Sequence, residues 1–194
     1  MAGETETTME KPSPSLPLAG RVAIVTVGSR GIGRAITIHL QSLGAKVVIN
    51  YASNSNQADL LVSKLNSAAN SSSPVAIAVR ADVSNPDQVK TLFDRAEEEF
   101  GCQLSSHPCE LCRGVKPKVP NRSQCNSGRL GHDTDCPVAT EMFFSGKTEE
   151  MVKGVEDACP LGRLGKPDDI SGIVGFLAGD AGEWINGQII RANV

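Results

Sequence analysis

The chain has 194 residues, of which 40% are hydrophobic and 21% charged, and it carries a formal net charge of −3. This length is sufficient for one domain with a buried core. The slightly acidic balance gives no reason to expect nucleic acid or an anionic membrane as a partner. No apolar run in the sequence is long enough to cross a bilayer.

The first residues of the chain are predicted to be disordered, because acidic residues and prolines dominate them. They lack the apolar core of a secretory signal, and organellar transit peptides are poor in acidic residues. We therefore expect residues 1–19 to be a tail, residues 20–194 to be a single domain and the protein to be cytoplasmic. In that compartment the six cysteines should be mostly reduced.

A strand, a glycine turn and a helix are predicted over residues 22–43. Residues 22–27 are mostly apolar without alternation, which is typical of a strand covered on both faces. Gly31 and Gly33 let the backbone approach a bulky group closely, and apolar residues at helical spacing follow them. Because the free N–H groups and the positive dipole end of that helix point at the turn, the stretch predicts an anion site that opens a dinucleotide-binding fold.

This stretch resembles the short-chain dehydrogenase/reductase family, whose pattern is Thr-Gly-x-x-x-Gly-x-Gly. Thr26, Gly31 and Gly33 match the pattern, and Val27 stands where the family has its first glycine. A positive φ at Val27 would be strained by roughly 1–3 kcal/mol, unless Gly28 takes over the turn with a one-residue shift. The resemblance implies that the turn binds the cofactor, through Thr26, Gly28, Ser29, Arg30, Gly31, Ile32 and Gly33.

A second strand, residues 47–51, bears on the choice of cofactor. Family members that prefer NAD carry an acid at its end to hold the ribose hydroxyls, whereas this chain has Tyr51, Ala52 and Ser53 there. Arg30 lies where NADP-preferring members often have a cation, and its planar fork suits a phosphate. The resemblance therefore implies NADP(H) rather than NAD(H). The alternative for Arg30 is a solvated turn residue.

The alternation continues with a helix over residues 57–69 and a strand over residues 75–79. By resemblance, Asp82 and Val83 after this strand contact the adenine, although capping of local backbone is an equally good interpretation for Asp82. The next helix is predicted to end at Gly101. Strands that alternate with helices predict a parallel sheet with helices on both faces.

The pattern stops in residues 102–136, which have no helical stripe and no credible apolar strand. The resemblance implies an α/β fold with a Rossmann-like doubly wound parallel sheet. We expect that sheet to be incomplete, because strands 4–6 are missing or unrecognisable. In the family this region carries a catalytic Ser and a Tyr-x-x-x-Lys motif. The one tyrosine of the chain is Tyr51, so no catalytic residue can be assigned.

Five of the six cysteines fall in residues 102–136. Cys109 and Cys112 have the spacing of half a zinc knuckle, but Cys125 is isolated, and His132 and Cys136 are not a standard closing pair. We therefore assign no metal ligand and expect an irregular insert with incidental cysteines. Our hypothesis is that aberrant splicing or a reading-frame change replaced a longer catalytic segment here.

The family pattern resumes at residue 137. By resemblance, Thr140 bonds the nicotinamide amide, although capping of the following helix is the favoured interpretation. Residues 159–167 resemble a loop that closes over substrate, and helices are predicted to start near residues 148 and 167. A final strand, residues 188–194, is predicted to pair with the first strand in the place of the missing fourth strand.

Two functions compete at this point. The resemblance implies an NADPH-dependent reductase of small aldehydes or ketones, acting by hydride transfer, whereas the missing tyrosine favours an inactive form that at most binds NADP(H). A zinc-stabilised interaction module is a third class, which would require stoichiometric metal. A homo-oligomer is compatible with the family resemblance.

Overall fold

The computed structural model describes residues 16–69, 73–101 and 136–185, together with Gln188, Ile190 and Ala192. Within these residues, three parallel strands form one sheet in the order β1-β2-β3. The strands are β1 (Val22–Val25), β2 (Lys46–Tyr51) and β3 (Ala76–Arg80). Their order and direction confirm half of a doubly wound sheet, and the fold class is α/β.

Helices cover both faces of this sheet. Those between and after the strands of the first half are α1 (Gly31–Ser42), α2 (Ser55–Ala68) and α3 (Pro86–Phe100). Those of the second half are α4 (Glu141–Phe144), α5 (Glu149–Ala158) and α6 (Pro167–Ala178), followed by a 3₁₀ turn, Asp180–Gly182. Each predicted helix start lies within two residues of the observed one, since capping residues mark them.

Two apolar cores result from the alternation of side chains along the strands. Val47 and Ile49 point to the core shared with α1 and α2, which includes Leu40 and Leu61. Val48 points to the opposite core, which is shared with α3. These three side chains of β2 are fully buried, as expected for the middle strand of a sheet covered on both faces.

The predicted helix ends are confirmed for α3. The side chain of Asn85 accepts a hydrogen bond from the N–H of Asp87, and Gly101 adopts the left-handed conformation with φ 64°. A residue with a Cβ would be strained at that φ, so glycine ends the helix without cost.

The folded domain begins earlier than predicted. Leu18 is only 1% exposed, and its N–H donates to the carbonyl of Leu43. The tail boundary at residue 19 is therefore too late, because an apolar side chain just before β1 packs into the core. Strand β1 also ends earlier than predicted, at Val25, because the backbone turns at Val27.

The second half is attached to the first mainly through α6, which packs against α1. A Cβ at Gly175 would come within 2.5 Å of the His39 Nε2 atom and 2.9 Å of Leu43, so glycine allows the close approach of the helices. The most buried residues of α6 are the small ones, Ser171, Gly175 and Ala178. Arg21 extends this attachment by donating to the carbonyl of Ala178 and pairing with Asp180.

Some predictions fall outside the described residues. They concern the irregular segment 102–135 and most of the final strand, of which only Gln188, Ile190 and Ala192 are described. The pairing of that strand with β1 therefore stays a prediction. No helix in the described part of the chain is long and apolar enough to span a membrane.

Candidate functional site

The glycine turn between β1 and α1 is built around a strained valine. Val27 has φ 53° and is the one non-glycine residue with positive φ in the described part of the chain. The expected outlier is therefore confirmed, and the alternative shift to Gly28 is wrong, because Gly28 is not among the glycines with positive φ. The strain follows from the clash of a Cβ with the following backbone in this conformation, which is most severe for a β-branched residue.

Two other glycines are required by close packing. A Cβ at Gly33 would lie 2.3 Å from the carbonyl oxygen of Val27, and a Cβ at Gly28 would lie 2.9 Å from that of Val25. Backbone atoms cannot move aside as flexible side chains can. Gly33 thus brings the first turn of α1 directly against the turn after β1, which is the close approach that a phosphate-binding turn needs.

Two polar residues that the sequence analysis missed hold this turn in place. The hydroxyl of Thr37 donates to the carbonyl of Gly33 at 2.9 Å and lies 3.3 Å from that of Gly28. The carbonyl of Asn50 accepts from the N–H of Gly28 at 3.1 Å. Thr37 is fully buried and Asn50 is 2% exposed. The signal for Thr37 in the sequence was a polar residue at a position where the helix pattern is apolar. Asn50 gave no such signal, because its contact with the turn is made by the backbone.

The start of α1 is open to an anion. Arg30 is the N-cap residue, its side chain makes no capping hydrogen bond, and the first turn holds no acidic residue. The backbone N–H groups of a first helical turn have no intrahelical acceptor, and in the described part of the chain the capping residue supplies none. Together with the positive end of the helix dipole, they form a site that fits the pyrophosphate of a dinucleotide. Ser29 is buried beside this site, while Thr26 and the Arg30 side chain are exposed and Ile32 is half-buried.

The loops after β2 and β3 lie at the same edge of the sheet as the glycine turn, because all three follow the carboxyl ends of parallel strands. Tyr51 ends β2, and its carbonyl accepts from the N–H of Ala81. The next carbonyl, that of Ala52, accepts from Nε of Arg80 at 3.1 Å. Ala52 and Ser53 are exposed. Tyr51 and Ala52, predicted for the cofactor site at the end of β2, are thus bonded to the end of β3, and Ser53 follows them in the same loop.

Asp82 is engaged in its own turn. Its carboxylate accepts from the backbone N–H of Ser84 at 2.9 Å and from the Ser84 hydroxyl at 2.7 Å. Both bonds lower the pKa of Asp82 below its ordinary value, and the bond from the Ser84 hydroxyl has the larger effect. The local capping interpretation is therefore confirmed for Asp82. Val83 is 50% exposed in the same turn, and its contact with adenine stays a prediction.

Thr140 links the second half of the chain to the glycine turn. Its hydroxyl accepts from the N–H of Phe143 at 3.3 Å, so it caps α4 as expected. Its methyl group lies 3.6 Å from the position that a Cβ on Gly31 would take. The sequence placed Thr140 and Gly31 in one site only through the family resemblance, and the structure places them next to each other.

Comparisons with known proteins agree with this geometry. Residues 21–102 match the family described as short chain dehydrogenase. An NADPH-dependent aldehyde reductase-like protein, chloroplastic, from Arabidopsis thaliana is 37% identical over 93% of this chain and 95% of the relative. This chain belongs to the short-chain dehydrogenase family. NADPH-dependent aldehyde reductase 2, chloroplastic, from the same plant is 36% identical with the same coverage.

A solved structure shows the same fold. A short chain dehydrogenase from Burkholderia cenocepacia J2315, in complex with NADP, has a TM-score of 0.62 and 21% sequence identity. The match covers 88% of this chain and 95% of that protein. At this identity the likeness shows the shared fold, which here is the Rossmann-like sheet with its carboxyl-edge cleft.

The segment that resembles the family's substrate loop is fastened in two ways in this short-chain dehydrogenase. Cys136 and Cys159 form a disulfide, so the expectation of mostly reduced cysteines is wrong for this pair. The other four cysteines lie outside the described residues. An isolated parallel bridge also joins Val138 to Gly165. Both links hold the strand-like segment before Thr140 against the loop before α6.

The end of that loop is held by an exposed ion pair. Arg163 donates to the carboxylate of Asp169 at 2.7 Å, which raises the pKa of Arg163 and lowers that of Asp169. Within the described ranges, no group of three His, Cys, Asp or Glu could hold a metal ion. An open cavity of about 380 Å³ lies along α4 and α5, and none of the predicted cofactor residues lines it.

Proposed function

We propose that this short-chain dehydrogenase binds NADP(H), and that the family activity, reduction of small aldehydes or ketones, is lost or strongly reduced in this chain. The observation that carries the proposal is the glycine turn, in which Gly33 and Thr37 fix an uncapped helix start at the carboxyl edge of the sheet. That arrangement binds the phosphates of a dinucleotide. The cofactor named for both Arabidopsis thaliana relatives is NADPH.

Preference for NADP(H) over NAD(H) is supported by charge at the end of β2. The residues there are Tyr51, Ala52 and Ser53, and none can repel the 2′-phosphate of NADP(H) as a carboxylate would. Arg30 at the start of α1 is exposed and makes no capping bond. A guanidinium at this position is suited to a phosphate, because its donors match two phosphate oxygens.

Loss of turnover is proposed because a proton donor is missing. Bound NADPH supplies a hydride to the carbonyl carbon, and the carbonyl oxygen must then take a proton from an acid. The family uses the tyrosine of Tyr-x-x-x-Lys, but the one tyrosine of this chain is Tyr51, at the end of β2. A positioned general acid contributes about 10²–10⁴ in rate, so reduction should be slower by at least that factor.

The absence of a longer catalytic segment remains our hypothesis for the origin of this loss. The alignment with the first Arabidopsis thaliana relative runs over 259 positions, more than the 194 residues of this chain. Such an alignment supports a segment that is present in relatives and absent here. Sequencing the transcript across the exon junctions tests the hypothesis, and one uninterrupted exon encoding residues 102–136 in every transcript would contradict it.

Thermal unfolding with and without cofactor tests the binding proposal. NADPH at about 100 times its Kd should add roughly 2.7 kcal/mol to the free energy of unfolding. NADH at the same concentration should add less. A cooperative transition that neither cofactor shifts would overturn the proposal, and steady oxidation of NADPH with a panel of aldehydes would show that turnover has been retained.

A pair of threonine variants locates the binding in the glycine turn. Thr37→Val removes the hydroxyl that bonds Gly33, whereas Thr91→Val removes a hydroxyl that bonds the carbonyl of Asp87 in the same i−4 geometry on α3. We expect Thr37→Val to raise the Kd for NADPH about 5- to 10-fold, since one hydrogen bond contributes about 1 kcal/mol. Thr91→Val should leave this Kd unchanged; equal effects of both would contradict the assignment.

The cellular location is a further part of the proposal. The sequence favours the cytoplasm, whereas both Arabidopsis thaliana relatives are named chloroplastic. We retain the cytoplasm as the proposed location, and the chloroplast named for the relatives is the alternative. Microscopy of the full chain with a fluorescent protein at its C-terminus tests this proposal, and fluorescence within plastids would contradict it.

A further inference from the structure

Arg80 is the last residue of β3 and is held across the loop that follows β2. It pairs in register with Tyr51, so its backbone lies directly beside the end of β2. Its Nε donates to the carbonyl of Ala52 at 3.1 Å. One side of the guanidinium is thus fixed to the backbone of the loop, and the group does not have to be ordered from free rotation when a ligand binds.

The surroundings of Arg80 leave its charge unneutralised. Within the described ranges, the Arg80 side chain bonds the backbone carbonyl of Ala52, and no carboxylate pairs with it. Two other exposed arginines, Arg95 and Arg163, each have a carboxylate partner. An exposed guanidinium that is fixed in place and has no counter-charge is suited to bind an anionic ligand.

The loop that Arg80 holds is where the fold places the adenosine ribose, next to the end of the second strand. It starts with Ala52 and Ser53 and is tied to the start of α2 by Asn54, whose side chain accepts from the N–H of Gln57 at 3.4 Å. The Nε bond to Ala52 uses one edge of the guanidinium. The end of the guanidinium, which offers one N–H from each Nη, is a separate edge that can donate to two oxygens of a phosphate.

We propose that Arg80 is a specificity-determining residue that binds the 2′-phosphate of NADP(H) from the β3 side of the ribose loop. The inference rests on the proposed function and names a contact beyond Arg30, which approaches from the glycine turn. It explains why a loop without any acidic side chain would still discriminate between the two cofactors: one cation comes from the α1 side and a second from the neighbouring strand.

The test compares Kd values for NADPH and NADH in three proteins: the full wild-type chain, Arg80→Gln and Arg95→Gln. Arg95 is an exposed arginine on α3 paired with Glu98, so its substitution makes the same change in net charge outside the loop. We expect Arg80→Gln to raise the Kd for NADPH about 10- to 100-fold, as for loss of a charge-assisted hydrogen bond. The Kd for NADH should change less than about twofold, and Arg95→Gln should change neither.

Adenosine 2′,5′-bisphosphate and AMP serve as additional probes without the nicotinamide, because the bisphosphate carries the 2′-phosphate and AMP lacks it. Arg80→Gln should weaken binding of the bisphosphate only, and Arg80→Lys should restore part of it, since a lysine keeps the charge but not the fork. Equal weakening of NADPH and NADH would overturn the inference, because Arg80 would then support the loop alone. A wild-type chain that prefers NADPH and an Arg80→Gln variant with the same preference would also overturn it. Binding of neither cofactor by the wild type would overturn the proposed function and this inference together.

Discussion

The two described parts of the chain differ in how they are stabilised. Residues 16–101 supply all three strands and nearly all buried apolar residues of the two cores. Residues 136–185 contain helices and one isolated bridge, and Ala178 is their one fully buried contribution to those cores. The first part is thus a layered α/β unit in itself, whereas the second depends on a disulfide and on the packing of α6 against α1.

Because of this difference, the proposed cofactor site can be considered apart from the catalytic tyrosine of the family. The glycine turn and the loops after β2 and β3 belong to the first part, which has the core to fix them. The second part contributes Thr140 to the site through its contact at Gly31. On the proposed function, such a short-chain dehydrogenase would bind a dinucleotide without the Tyr-x-x-x-Lys motif with which the family protonates a substrate.

The largest expected effect is that of Gly33→Ala, which alters the glycine turn in the first part of the chain. The new Cβ would lie 2.3 Å from the carbonyl oxygen of Val27, so the backbone of the turn must move. We expect the free energy of unfolding to fall by about 3 kcal/mol and NADPH binding to be lost. Chemical denaturation and calorimetric titration measure both quantities.

Gly172→Ala is the matched control in the second part. It lies within α6, and a Cβ there meets no atom within 4 Å. The substitution should raise the free energy of unfolding by about 0.5–1 kcal/mol, since alanine favours the helix. If both alanine variants were equally stable, the glycine turn would not be packed as described.

A smaller and more local effect is expected from Cys159→Ser. The disulfide joins residues separated by 23 positions, and a loop of that size corresponds to about 3 kcal/mol in the chain-entropy model, with engineered cases often giving less. Without the disulfide, hydrogen exchange should accelerate in residues 137–166 and stay unchanged in β1–β3. The wild type and Cys159→Ser, both measured with excess reductant, are the control, because their hydrogen-exchange rates should then be the same. Acceleration throughout the sheet would mean that the two parts unfold as one unit.

The smallest effect concerns Val27, where the turn departs from the family pattern. Val27 is 56% exposed, so Val27→Gly removes little buried surface and relieves the positive φ. After allowing for the added flexibility of the unfolded chain, we expect a gain of about 1 kcal/mol in the free energy of unfolding. Val83→Gly removes a valine of similar exposure, 50%, that is not among the residues with positive φ, and it should reduce stability. A loss of stability in both variants would show that Val27 is not strained.

Much of the first part could be predicted from local sequence. The apolar run of β2, the cap at Asn85 and the end at Gly101 each follow from one or two residues and their neighbours. The possible strain at Val27 came from the family resemblance, because Val27 stands where the family pattern has a glycine. The errors came from distant contacts: Leu18 proved to be part of the core, and Cys159 proved to be paired with Cys136.

The sequence by itself determined the strand, turn and helix order, the family, the absence of the Tyr-x-x-x-Lys motif and the choice of residues around the glycine turn. These depend on spacing along the chain, which periodicity and glycine chemistry reveal directly. Only the tertiary structure decided that the carbonyl of Asn50 holds the turn, that Thr140 lies next to Gly31 and that Arg80 lies across the ribose loop. Those contacts join residues far apart in the chain, because parallel strands bring their carboxyl ends to one edge only after the sheet has formed.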